Sequence, residues 1–90
     1  MNVKMYNQLY TTKYADGRYY EEWTTTYITD IAMEKSTKEV KTKVEAFIKR
    51  YFSDKSPYME SLQLERNCPL GLWQFTIATY EEVTDFEIDE

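Results

Sequence analysis

The dipeptide Asp16-Gly17 stands between two long runs rich in Tyr, Thr, Trp and Ile, and no other feature restricts the folding of this chain as much. A two-residue type I′ loop needs positive φ at both central positions, which Asp-Gly accepts at little cost. With those two residues as the loop, Ala15 pairs with Arg18 and every further pair follows. Tyr14 then faces Tyr19, Tyr10 faces Trp23, and Tyr6 faces Tyr27. Alternation puts all six rings on one face. Val3, Met5, Leu9, Tyr20 and Ile28 fall on the other, among polar residues. A slip of one residue would leave neither face coherent.

The expected role of the six rings is a hydrophobic core beneath a helix. A second reading makes them a stacking platform for single-stranded nucleic acid, which also needs cations to follow the phosphates. The hairpin holds only Lys4, Lys13 and Arg18 against Asp16, Glu21, Glu22 and Asp30.

Beyond the hairpin the pattern changes period. Met1–Tyr14 and Arg18–Ile31 read as strands, supported by the β-branched run Thr24, Thr25, Thr26. Ala32–Lys35 is a connector, and Ser36–Ser53 is a helix. Ser36 with Glu39 three residues later forms a capping box. Val40, Val44, Phe47, Ile48, Tyr51 and Phe52 recur at helical spacing and make one apolar stripe. Lys49, Arg50 and Lys55 gather near the C-terminal end, where the helix dipole favours cations. Pro57 blocks continuation and moves Ser56 out of the helical region. Tyr58–Arg66 reads as a third strand, with Leu62 and Leu64 sharing a face with Glu60. Asn67–Gly71 is a loop. Leu72–Val83 is a fourth strand carrying Trp73, Phe75 and Ile77 on one face. Thr84–Glu90 alternates Phe86 and Ile88 with acids, which suits either a short edge strand or a frayed acidic tail. The order ββαββ predicts an α+β fold: a four-stranded antiparallel sheet of two hairpins, with one amphipathic helix on one face. Ninety residues make one small domain, 1–90, with one modest core.

The chemistry available is narrow. The chain has no histidine, so no Ser-His-Asp or Cys-His arrangement can be built. Its one cysteine, Cys68, excludes an intrachain disulfide and an ordinary zinc set, and fits a reducing cytoplasm. The two glycines, Gly17 and Gly71, are too far apart for a phosphate loop. Adjacent acids such as Glu21-Glu22 and Glu81-Glu82 point to opposite faces of a strand, so neither is a ready acid–base pair. The expectation is a protein without enzymatic activity, cofactor or metal. No apolar run is long enough to span a membrane, and Met1–Tyr10 lacks the pattern of a secretory signal.

Charge is unevenly placed. Residues 35–55 hold seven basic and three acidic residues, a net of +4, which leaves −9 on the rest of a chain whose total is −5. An acidic body is drawn to basic protein surfaces and repelled by nucleic acid. The expected partner-binding residues are Glu81, Glu82, Asp85, Glu87 and Asp89, with Glu21 and Glu22 second. Carboxylates spaced along strands and a tail could occupy a basic cleft built for phosphates. By class, such a domain suits a phage- or mobile-element-encoded inhibitor of a nuclease or other host-defence protein, anti-CRISPR-like, acting in the host cytoplasm. An alternative is a nucleic-acid-binding module using Lys38, Lys41, Lys49 and Arg50, whose affinity would fall steeply with salt. A third is a homodimer or larger homo-oligomer pairing through an exposed strand edge.

Overall fold

The computed structural model describes residues 1–52 and 56–83. Five elements follow in chain order: β1 (Val3–Ala15), β2 (Arg18–Ala32), α1 (Thr37–Tyr51), β3 (Pro57–Asn67) and β4 (Leu72–Val83). They form the expected α+β architecture, one four-stranded antiparallel sheet with one helix. Strand order is β1-β2-β4-β3. The second hairpin is thus placed with β4 inside, and β2 and β3 run parallel on either side of it. A helix crossover is what parallel strands need, and α1 supplies it. β4 takes an inner position because Trp73, Phe75, Ile77 and Ala78 are all buried.

The turn is as the dipeptide predicts. Asp16 and Gly17 have φ of 53° and 76°, and the pairs run Ala15–Arg18, Tyr14–Tyr19, Tyr10–Trp23 and on to Asn7–Thr26. There the expected register stops. A bulge at Tyr6 puts Met5, not Tyr6, opposite Tyr27. One extra residue on one strand moves every later side chain to the other face. Val3 and Met5 therefore leave the face assigned to them, and Val3 packs against the core.

Helix α1 begins at the predicted cap: the Glu39 N–H donates to Ser36 Oγ at 3.3 Å, while the Glu39 carboxylate lies 3.7 Å from Lys43. Val40, Val44 and Ile48 are fully buried, with Phe47 and Phe52 packed beside them. Tyr51 differs from expectation. It is exposed, ringed by Phe47 at 4.7 Å and Arg50 at 5.5 Å, because it falls on the flank of the stripe. Tyr27 stacks on Phe75 at 5.2 Å and meets the edge of Phe52 at 5.7 Å.

Strand β3 departs most from simple alternation. Between Tyr58–Ala78 and Gln63–Thr76 its register slips, so Met59, Glu60, Ser61 and Leu62 all stand against Ile77. Ser61 repairs the ladder: its Oγ accepts from the Ala78 N–H at 2.9 Å and donates to the Tyr58 carbonyl at 2.6 Å. The slip lets both Met59 and Leu62 reach the core, joined by Leu64, while Glu60 stays exposed.

The helix does not cover the whole sheet. Fifteen residues of helix reach about 22 Å, whereas the fifteen residues of β2 extend about 50 Å. The molecule is 53 Å long and only 24 Å and 19 Å in its other extents. The first hairpin therefore projects past the helix, and its far end is two-sided.

Candidate functional site

The projecting end is where the sequence-predicted acids in the described residues gather, and strand alternation sorts them. On the helix side, beyond the helix, lie Tyr10, Trp23, Tyr14 and Tyr19. Tyr10 and Trp23 approach to 4.6 Å between ring centroids, and Tyr14 and Tyr19 to 4.9 Å. Tyr10 and Tyr14 stay 49% and 67% exposed. Of the six rings expected to form core, only Tyr27 packs against the buried cluster; the others lie where no helix reaches, or, for Tyr6, at the bulge.

Glu21 and Glu81 share this aromatic face. They stand directly opposite each other in the β2–β4 register, where Cβ atoms are about 4.5–5.5 Å apart and like charges repel. The Tyr10 hydroxyl donates to Glu21 Oε1 at 3.2 Å. Lost hydration and then the Glu21 charge hold the Tyr10 phenol above its ordinary pKa.

Glu22 points the other way and is spent within the chain. Lys13 Nζ lies 2.8 Å from its Oε2. The Tyr80 hydroxyl donates to the same oxygen at 2.5 Å, and Thr11 Oγ1 donates to Oε1 at 3.3 Å. The side chain is only 14% exposed. The Lys13 hydrogen bond, followed by that from Tyr80, holds the Glu22 carboxyl below the usual carboxylate range despite its burial. The Lys13 ammonium and the Tyr80 phenol are raised, each chiefly by its hydrogen bond to Glu22. Lys13 also sits over the Tyr80 ring at 5.9 Å, and Tyr58 meets that ring edge-on at 6.0 Å.

The acids singled out from sequence thus separate. Glu21 and Glu81 come together, Glu22 belongs to an internal network on the opposite face, and Glu82 stands opposite Tyr20 in the register. Asp85, Glu87 and Asp89 lie outside the described residues. The Tyr10–Trp23 and Tyr14–Tyr19 ledge lies on the same face as this acidic pair, with Tyr10 and Tyr14 exposed and Trp23 and Tyr19 half-buried. Its pairing was legible from the turn register, but its exposure was not, because helix length against strand length decides it.

Lys38, Lys41, Lys49 and Arg50 are all exposed on α1. Lys41 and Lys43 are each within 4.0 Å of a glutamate one turn away, Glu45 and Glu39, the arrangement of a solvated helix face. Lys41 and Glu45 also border an open groove of about 490 Å³ against Met59, Leu62 and Leu64. Cys68 is an exposed free thiol. Among the described residues no group of three or more His, Cys, Asp and Glu side chains is placed to hold a metal. No described helix is long and apolar enough to cross a membrane.

No protein-family model, curated protein or solved structure matches this chain.

Proposed function

We propose that this is a small non-enzymatic binding protein that inhibits or modulates a protein partner bearing a basic surface. The observation that carries the reading is the Glu21–Glu81 pair, opposed in register beside the exposed Tyr10 and Tyr14 rings and the half-buried Trp23 at the uncovered end of the sheet. Two opposed carboxylates repel each other until a cation lies between them. An Arg or Lys from a partner would relieve that repulsion while its stem lies along the rings. Aromatic rings with little rotamer freedom make effective interface anchors. A cleft shaped for phosphates offers such cations in number, so the partner of best fit is a nuclease or another nucleic-acid-handling protein. On the same class argument, the protein would be an anti-defence factor of a phage or mobile element, acting in the host cytoplasm. Glu82, Asp85, Glu87 and Asp89 would add to the net negative charge that draws a basic partner.

The test is capture of partners from the native or host cell on the tagged protein, followed by elution with competing nucleic acid. The expected result is a nucleic-acid-handling protein that DNA or RNA displaces and that Glu21→Lys/Glu81→Lys fails to capture. Equal capture by the charge-reversed protein would remove the site. Recovery of nucleic acid itself would move the function to Lys38, Lys41, Lys49 and Arg50.

A further inference from the structure

The sheet has two edges, and they are treated very differently. β3 begins with Pro57, slips across Met59–Leu62, and carries Glu60, Glu65 and Arg66. Proline, irregularity and charge are the usual defences of an edge against pairing with another strand. β1 has neither proline nor irregularity between Asn7 and Ala15. It runs regularly, with Lys13 as its one charge there, and that charge is held by Glu22. Met5, Tyr6, Leu9, Tyr10 and Tyr14 are large, apolar and exposed along it, Leu9 at 60%.

The direction of the free backbone groups can be read from the turn. A two-residue loop closes on a hydrogen-bonded pair, here Ala15–Arg18. Bonded and non-bonded pairs then alternate. Odd residues from Asn7 to Ala15 direct N–H and C=O at β2. Gln8, Tyr10, Thr12 and Tyr14 direct theirs outward. A strand added to this edge must offer its own outward groups in the same alternation, and a second β1 does so when even residues meet even residues.

We infer that β1 pairs antiparallel with β1 of a second copy, with Tyr10 on the two-fold axis. In this register Tyr10 meets Tyr10, Gln8 meets Thr12 and Leu9 meets Thr11. Because the bulge at Tyr6 makes Met5 and Asn7 successive in register, Met5 comes level with Tyr14 of the other copy. Lys13 faces Asn7, and Lys4 comes level with Ala15, so no like charges are opposed. Moving the register by two residues in one direction brings Lys13 level with Lys4, which opposes like charges. Moving it in the other sets Lys13 against Leu9 and separates Met5 from Tyr14. The central register is the one that sets Tyr10 on Tyr10 and Met5 on Tyr14 without opposing like charges. It makes one eight-stranded sheet, with both helices on the same face. The Tyr10–Trp23 pairs of the two copies then form one row across the axis. This dimer does not depend on the acidic pair having a partner.

Sedimentation velocity from micromolar to millimolar protein tests it. A concentration-dependent dimer is expected. Thr12→Pro removes an N–H that points outward and so leaves the β1–β2 ladder intact; Tyr10→Lys sets two cations face to face on the axis. Each should weaken the dimer by about tenfold or more. Circular dichroism confirms the fold of each variant, and Tyr10→Lys alone suffices where proline disturbs the strand. In a Cys68→Ser background, Leu9→Cys/Thr11→Cys places thiols on a non-bonded pair whose Cα separation of about 4.5 Å suits a disulfide. Oxidation should give a covalent dimer. A protein monomeric throughout the range, or a dimer indifferent to both edge variants, overturns the inference; a dimer that does not cross-link overturns the register.

Discussion

The two ends of the sheet use similar residues for different purposes. At the covered end, Tyr27 lies against Phe75 and Phe52 beneath α1, in a cluster with Ile31, Val40, Val44, Ile48, Trp73 and Ile77. At the far end, Tyr10, Tyr14, Tyr19 and Trp23 continue the same face of the same hairpin, where Tyr10 meets Trp23 and Tyr14 meets Tyr19 outside the buried cluster. Tyr19, Trp23 and Tyr27 are alike in chemistry and share one face of β2. What separates them is whether a helix lies above. Burying an aromatic ring on both sides removes far more apolar area from water than pairing it at a surface. One end therefore holds the fold together, and the other is available for contact.

That contrast is open to direct attack. The largest effect is expected from Phe75→Ala, which empties the middle of the core and should cost about 3–5 kcal/mol by urea denaturation. A domain of this size has a total stability on the order of 5–10 kcal/mol. The comparable truncation at the other end, Tyr14→Ala, should cost roughly 0.5–1 kcal/mol, the value of a cross-strand pair. Equal losses at Phe75 and Tyr14 would erase the distinction between the two ends.

Gly17→Ala tests how far the projecting end depends on its turn. Gly17 has φ of 76°, and an added Cβ would meet no atom within 4 Å, so the cost is conformational alone, about 1–2 kcal/mol. Hydrogen exchange should show the loss first in the amides nearest the loop. Uniform acceleration across β4 and α1 would mean that the hairpin end is no separate unit.

The Lys13–Glu22–Tyr80 network predicts a smaller effect that depends on pH. The folded pKa of Glu22 lies below its unfolded value. Its contribution is therefore present above the ordinary carboxylate pKa and is lost as pH falls through the lowered folded value. Lys13 and Tyr80 are raised, so their contributions hold below their ordinary values and are lost as pH rises through the raised ones. Glu22→Gln should flatten the acid limb of a plot of urea midpoint against pH. An acid limb unaltered by Glu22→Gln would remove the network from the account of stability.

The smallest change should carry the opposite sign. Glu21→Gln or Glu81→Gln relieves the opposed carboxylates and should stabilise the fold by a few tenths of a kcal/mol, while weakening the proposed partner contact. Loss of stability in both would show that the pair is not under repulsion, and the site would lose its electrostatic rationale.

Much of this architecture was legible in the residues themselves. Asp16-Gly17 determined the turn, the pairing from Ala15–Arg18 to Asn7–Thr26, and the shared face of Tyr10, Tyr14, Tyr19 and Trp23. Ser36 and Glu39 marked the helix start, and the spacing of Val40, Val44 and Ile48 named its buried side. These features are local: each follows from φ preference, period or a contact between residues close in the chain. Strand order was not local. That β4 lies between β2 and β3 depends on the most apolar strand finding an inner place with the helix above it. The bulge at Tyr6 and the slip at Met59–Leu62 answer to the same core, which draws in Val3, Met59 and Leu62 against strict alternation. Above all, nothing in the hairpin's own residues says where the helix stops. The length of α1 against the length of β2 leaves Tyr10 and Tyr14 in water, because helical residues advance less than half as far along an axis as extended ones. That difference in rise is what divides one aromatic face into a core and a surface.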